Sequence, residues 1–169
     1  MHRYLSARAH QRLKKGVQAM PVVWIIEDEK QYREAAKKVL ERTVADSNME
    51  LHTVEWDGRE ALTEEQKSRP ADIVILDLNL NQGINGLEAL RNIPGFDHKE
   101  PNIFHPYVII WSHFDGELEL YDMPPVHDLQ INLNGDRVVR TYWKAETNLE
   151  TALKGFFSRL QEEGVYHGV

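Results

Sequence analysis

Residues 72–80 read Asp72-Ile73-Val74-Ile75-Leu76-Asp77-Leu78-Asn79-Leu80. A short unbroken aliphatic run closed by a carboxylate is what a strand buried on both faces of a parallel sheet requires. Ligands of such sheets bind at the carboxyl ends of the strands. The same arrangement recurs along the chain. Val22-Val23-Trp24-Ile25-Ile26 is closed by Glu27 and Asp28, Tyr107-Val108-Ile109-Ile110-Trp111 by Ser112, and the patch Tyr142-Trp143 by Lys144. Three carboxylates converging at one end of a sheet need a cation, and a hydroxyl and an ammonium beside them suit a phosphoryl group.

Between these runs the periodicity changes. Tyr32, Ala35, Ala36, Val39, Leu40 and Val44 recur at helical spacing, and Leu51 to Trp56 alternates as a second strand. Asp57-Gly58 signals a turn, and Ala61-Leu62 are expected to open a short helix that stops before Pro70. Asn81 to Asn85 reads as a loop, followed by a helix through Leu87, Leu90 and Ile93. Leu149, Ala152, Leu153, Phe156, Phe157 and Leu160 form the clearest helical stripe, with Thr147 and Glu150 as a capping box at its start. In residues 113–141 the expected crossover helix has only Gly116 to Tyr121 as a candidate, which Pro124-Pro125 stops. Leu129, Ile131 and Leu133 alternate up to Asn134-Gly135, a favoured hairpin turn pair, and predict a β-hairpin running into the last strand. The alternation implies a doubly wound α/β domain on a five-stranded parallel sheet, with the fourth crossover helix shortened or replaced by the hairpin.

The 169 residues make one ordinary domain, expected over 21–169 after a basic N-terminal extension, 1–20. The extension carries Arg3, Arg8, Arg12, Lys14 and Lys15 and no acid. It reads as a solvated tail, with a short helix docking on a partner as the sharper alternative. A net charge of -7 speaks against a nucleic-acid-binding body, and the absence of cysteine excludes disulfides and thiolate chemistry. No apolar run approaches the roughly 20 residues of a membrane span, and no signal core precedes Pro21, so a cytoplasmic chain without membrane contact is expected. The eight histidines show no pair at helical ligand spacing beside a carboxylate.

Ile25-Ile26-Glu27-Asp28-Glu29, Arg33, the stretch Asp57–Leu62, the run ending in Asp77, Gly86-Leu87-Glu88, Ser112 and Lys144 together resemble the receiver domain of bacterial two-component response regulators, over about residues 21–163. Taken singly, each motif has a plainer reading as a helix cap, a turn residue or surface charge. The ordered combination carries the resemblance. It implies a flavodoxin-like fold in which Asp77 takes a phosphoryl group from a sensor histidine kinase or histidine phosphotransfer protein. It also implies that Asp28 and Asp77 ligate Mg²⁺ directly, Glu27 through a water and Asn79 through its carbonyl. Lys144 would pair with Asp77 at rest and with a phosphoryl oxygen afterwards, and Ser112 would move toward Asp77 on activation. Such a protein catalyses its own phosphorylation and dephosphorylation, without turnover of small molecules. It would signal to a downstream protein by docking, with no output domain attached and no direct nucleic-acid contact.

Four positions depart from the family pattern. Ala145 stands where a proline, often cis, follows the lysine. The loop after Asp77 is one residue longer, with Asn81 in place of proline. His113 replaces a small residue, and Thr141 occupies the place of the switch aromatic, leaving Tyr142 and Trp143 one and two positions away. These departures favour a runner-up, a receiver-fold binding module that acts independently of phosphorylation. A haloacid-dehalogenase-like phosphatase also uses an Asp after a strand, but Asp77-Leu78-Asn79 lacks that family's second Asp. No Gly-rich dinucleotide fingerprint follows any strand.

Overall fold

The computed structural model describes residues 20–45, 47, 49–80, 84–94, 106–112, 138–141 and 144–162. The elements run β1 (Val22–Ile26), α1 (Lys30–Val44), β2 (His52–Trp56), α2 (Glu64–Lys67), β3 (Ile73–Leu76), β4 (Asn79–Leu80), β5 (Ile84–Asn85), α3 (Gly86–Asn92), β6 (Tyr107–Trp111), β7 (Val138–Thr141) and α4 (Glu146–Glu162). Five strands form one sheet in the order β2-β1-β3-β6-β7, and every pair in it is parallel. β4 and β5 pair antiparallel as a small separate ribbon.

The apolar runs are continuous because both faces of the sheet are covered. Trp24, Ile26, Val74, Leu76, Val108 and Ile110 face a core shared with Leu87, Ala89 and Leu90 of α3. Val23, Ile25, Ile73, Ile75, Tyr107 and Ile109 face the other, where α1 supplies Ala36, Val39 and Leu40. α4 adds Leu149, Leu153, Phe156, Phe157 and Leu160 to that second core. The period of two along each strand therefore sends alternate residues into different cores. Burying each of these side chains contributes about 1.5–3 kcal/mol relative to leaving it in water. Two aromatic pairs set the layers. Trp24 meets Trp56 edge-on with ring centroids 6.3 Å apart, and Tyr107 stacks on Phe156 at 4.6 Å.

Several boundaries differ from the sequence expectation. α2 begins at Glu64, not at Ala61-Leu62, because Thr63 and Gln66 form a reciprocal capping box. Leu62 packs against the core ahead of it. α4 begins at Glu146, so Thr147 lies inside the first turn and is no cap. The helix opens with Leu149 donating to the Ala145 carbonyl at 3.1 Å. The expected loop after Asp77 contains the β4–β5 ribbon, with Leu80 opposite Ile84. Of the 113–141 region only β7 is described. The Gly116–Tyr121 helix candidate and the Asn134-Gly135 hairpin lie outside the described residues, as do the basic tail, Asn81, His113, Tyr142 and Trp143. Trp24, Trp56 and Trp111 are core residues, as their strand positions predict.

Candidate functional site at the carboxyl ends of β1, β3 and β6

The chain leaves β1 toward β2 on one side and returns through β3 on the other, so the strand order reverses at β1. A crevice forms outside the carboxyl ends at such a point. The register places Ile26 beside Leu76 and Leu76 beside Ile110, which brings Glu27 and Asp77, the next residues, together. Backbone bonds extend the sheet one step beyond the strands: Glu27 donates to the Trp56 carbonyl at 3.1 Å and Asp77 to the Ile26 carbonyl at 3.0 Å.

Glu27, Asp77, Ser112 and Lys144 are all buried there, and Asp28 is half-buried. Ser112 Oγ donates to Asp77 Oδ1 at 2.6 Å, and the Asn79 amide donates to the same oxygen at 3.2 Å. Lys144 Nζ donates to Asp77 Oδ2 at 3.2 Å and, more closely, to Glu27 Oε2 at 2.6 Å. The expected resting partner of Lys144 is thus only part of the arrangement. The other Glu27 oxygen accepts from the Glu29 amide at 3.0 Å. Arg33 Nη1 donates to the carbonyls of Glu27 and Asp28, each at 2.8 Å, and so fixes the turn into α1.

Carboxylate oxygens of Glu27, Asp28 and Asp77 all lie within 4.8 Å of one another. Among the described residues one buried ammonium stands against these three carboxylates, so the ionised cluster carries excess negative charge. The donor set is all oxygen, which fits a hard divalent cation. Burial pushes the Glu27 carboxyl up to about 7; the Lys144 hydrogen bond opposes this, the Asp77 charge adds to it, and the Glu29 amide opposes it again. For Lys144, burial works to lower the ammonium's pKa, but the hydrogen bond to Glu27 and the charge of Asp77 outweigh it and raise it. Asn79 is exposed, and its amide is its contact with the cluster.

The structure therefore gathers Glu27, Asp28, Asp77, Ser112 and Lys144 into one cluster, with Asn79 at its rim. It also brings in two residues to which the sequence reading gave no role at the site. The Tyr32 ring centroid lies 3.8 Å from Lys144 Nζ, and that of Trp111 lies 5.9 Å away. Tyr32 and Trp111 meet edge-to-face at 6.2 Å. The signal for Tyr32 was its place on the first turn of α1, four residues beyond Asp28 and above the strand ends. Gly86 is a further determinant: a Cβ there would run into the backbone carbonyl of Asp77. The Lys144–Ala145 peptide is trans, and Lys144 itself takes a left-handed backbone with φ 43°.

Several solved structures share this fold. The bacteriophytochrome response regulator AtBRR is 22% identical, with a TM-score of 0.52, over 89% of this chain and 96% of its own. The N-terminal domain of a response regulator/sensory box/GGDEF three-domain protein from Carboxydothermus hydrogenoformans is 15% identical, with a TM-score of 0.54, over 86% and 99%. The signal receiver domain of an HD domain-containing protein from Pseudomonas fluorescens Pf-5 is 18% identical, with a TM-score of 0.51, over 87% and 93%. No curated protein sequence matches the chain. The response regulator receiver domain family matches residues 23–115, a span that runs from the second residue of β1 past the end of β6 and holds every cluster residue except Lys144. By that match the chain belongs to the response regulator receiver domain family, the receiver modules of two-component signalling.

Proposed function

We propose that Asp77 accepts a phosphoryl group from a phosphohistidine of a sensor histidine kinase or a histidine phosphotransfer protein, in a Mg²⁺-dependent reaction. The observation that carries this reading is the buried Asp77 carboxylate held between the Ser112 hydroxyl and the Lys144 ammonium, with Glu27 and Asp28 oxygens alongside. An Asp77 oxygen attacks phosphorus, the bond from phosphorus to the donor imidazole nitrogen breaks, and an acyl phosphate forms on Asp77. Lys144 and Ser112 are placed to meet the phosphoryl oxygens. Glu27, Asp28 and Asp77 would hold the cation, with the Asn79 carbonyl completing the set. When bound, Mg²⁺ supplies charge neutralisation between two anionic reactants. The product signals to a downstream protein by docking, in the cytoplasm and without contact to nucleic acid or membrane.

The test is the intact mass of the chain after incubation with Mg²⁺ and acetyl phosphate. The wild type is expected to gain one phosphoryl group, and Asp77→Asn none. A wild type that gains nothing sinks the reading.

A specific observation favours a second reading, a binding module of this fold that acts independently of phosphorylation. The hydroxyl and the ammonium each already meet a carboxylate at 2.6 Å, so these hydrogen bonds do not depend on a phosphoryl group. Amide spectra that stay unchanged on adding Mg²⁺ and beryllofluoride would favour it.

A further inference from the structure

We propose that Tyr32 is a positioning residue for Lys144, its ring serving as an uncharged seat that keeps the ammonium beside Asp77. The proposal rests on the phosphoacceptor reading above. An ammonium has three N–H donors. Two of them are engaged by Glu27 Oε2 at 2.6 Å and Asp77 Oδ2 at 3.2 Å. Both acceptors belong to the carboxylate cluster, so a cation bound there draws on the charge that holds Lys144. The Tyr32 ring does not share that fate. Its face attracts an ammonium through the ring quadrupole, and a hard cation that prefers oxygen does not compete for it.

The geometry suits this role. Nζ sits 3.8 Å from the ring centroid, well inside the range of a cation–π contact. The lysine side chain is almost wholly shielded, at 3% exposure, and desolvation strengthens such contacts. The ring is itself held. Trp111 packs its plane at 87° to the Tyr32 ring, and Trp111 Nε1 donates to the Ala145 carbonyl at 3.4 Å. One aromatic pair therefore grips both the head of Lys144 and the backbone beside it. The flexible four-carbon stem starts from a left-handed turn residue, so an anchor at its tip narrows the positions the charge can visit.

The test compares the full chain with Tyr32→Leu, Tyr32→Phe and a graded series of fluorinated phenylalanines at position 32. Fluorination drains the ring face of negative potential while keeping its shape, so a merely packing role would leave the series flat. Two quantities are read: the Lys144 ε-proton chemical shifts without metal, and the affinity for beryllofluoride with Mg²⁺. The wild type and Tyr32→Phe are expected to show ring-shifted Lys144 protons, which Tyr32→Leu returns toward ordinary lysine values. Beryllofluoride affinity should fall stepwise with fluorination and about tenfold in Tyr32→Leu, the scale of a partly desolvated cation–π contact. A flat affinity series, or Lys144 shifts unaltered by Tyr32→Leu, overturns the proposal. If the wild type binds no beryllofluoride, the phosphoacceptor reading has failed, and the Lys144 shifts alone decide whether the seat exists.

Discussion

Asp57 closes the turn after β2 with its own carboxylate, which accepts hydrogen bonds from the amides of Arg59 and Glu60 at 2.9 and 3.0 Å. Partial burial works to raise its pKa, but these two bonds, helped by the Arg59 and Arg33 charges, outweigh it and hold the carboxyl below 3.8. The unfolded chain therefore takes up the proton first. The contribution is present above 3.8 and is lost as pH falls through the lower folded value. Asp57→Asn is expected to cost about 1 kcal/mol near neutral pH and to make the acid side of the stability profile less steep, as read from urea unfolding at several pH values. A variant whose acid limb matches the wild type would contradict this. The Asp57-Gly58 pair was legible as a turn because Gly58 has φ 80°, a conformation that glycine adopts freely. The Lys144–Tyr32 contact was not legible. Helical spacing tells which face of α1 is apolar, but not which ring on that face will meet a charge from a residue so distant in sequence.

At the scale of elements, α3 must start against the residue it helps to position. Gly86 donates its amide to the Leu78 carbonyl at 2.9 Å, and a Cβ in its place would collide with the Asp77 carbonyl. Both of these are backbone atoms, so relief requires moving the helix or the strand end. Gly86→Ala is expected to destabilise the fold by about 1–3 kcal/mol, the usual cost of overpacking, and to slow phosphoryl uptake by displacing Asp77. Chemical denaturation and mass spectrometry would check the two effects, and a variant of wild-type stability and uptake would refute the account. β1, β3 and β6 were readable because their apolar runs of four or five residues, rich in β-branched side chains, suit strands covered on both faces. The helix ends were less so. Thr63 and Gln66 cap a helix only four residues long, too short to show a periodicity. Thr147 resembled a cap, but the chain had already turned helical at Glu146.

For the whole molecule, the cluster joins β1, β3, β6 and the segment before α4, so a ligand there ties together parts that lie far apart in sequence. A ligand that binds only the folded chain stabilises it, by about 2.7 kcal/mol at a concentration one hundred times its Kd. Mg²⁺ with beryllofluoride is therefore expected to raise Tm by several degrees in the wild type, about 2–4 °C per kcal/mol for domains of this size. Asp77→Asn should show no such rise, and equal shifts in both would place the ligand elsewhere. The positions where the apolar runs stop were legible in the sequence, whereas the strand order β2-β1-β3-β6-β7 came only with the structure, because periodicity does not say which strands are neighbours.

Trp111 is buried at the edge of the cluster, with its indole face toward an ammonium and its N–H on the carbonyl next to Lys144. Indole emission responds to nearby charge, so the protein carries an intrinsic optical reporter of its own occupancy. Adding Mg²⁺ with beryllofluoride should change the intensity or colour of tryptophan fluorescence, and Trp111→Phe should diminish that change while Trp24, Trp56 and Trp143 continue to emit. A phosphorylation time course could then be followed in a cuvette without attaching a dye.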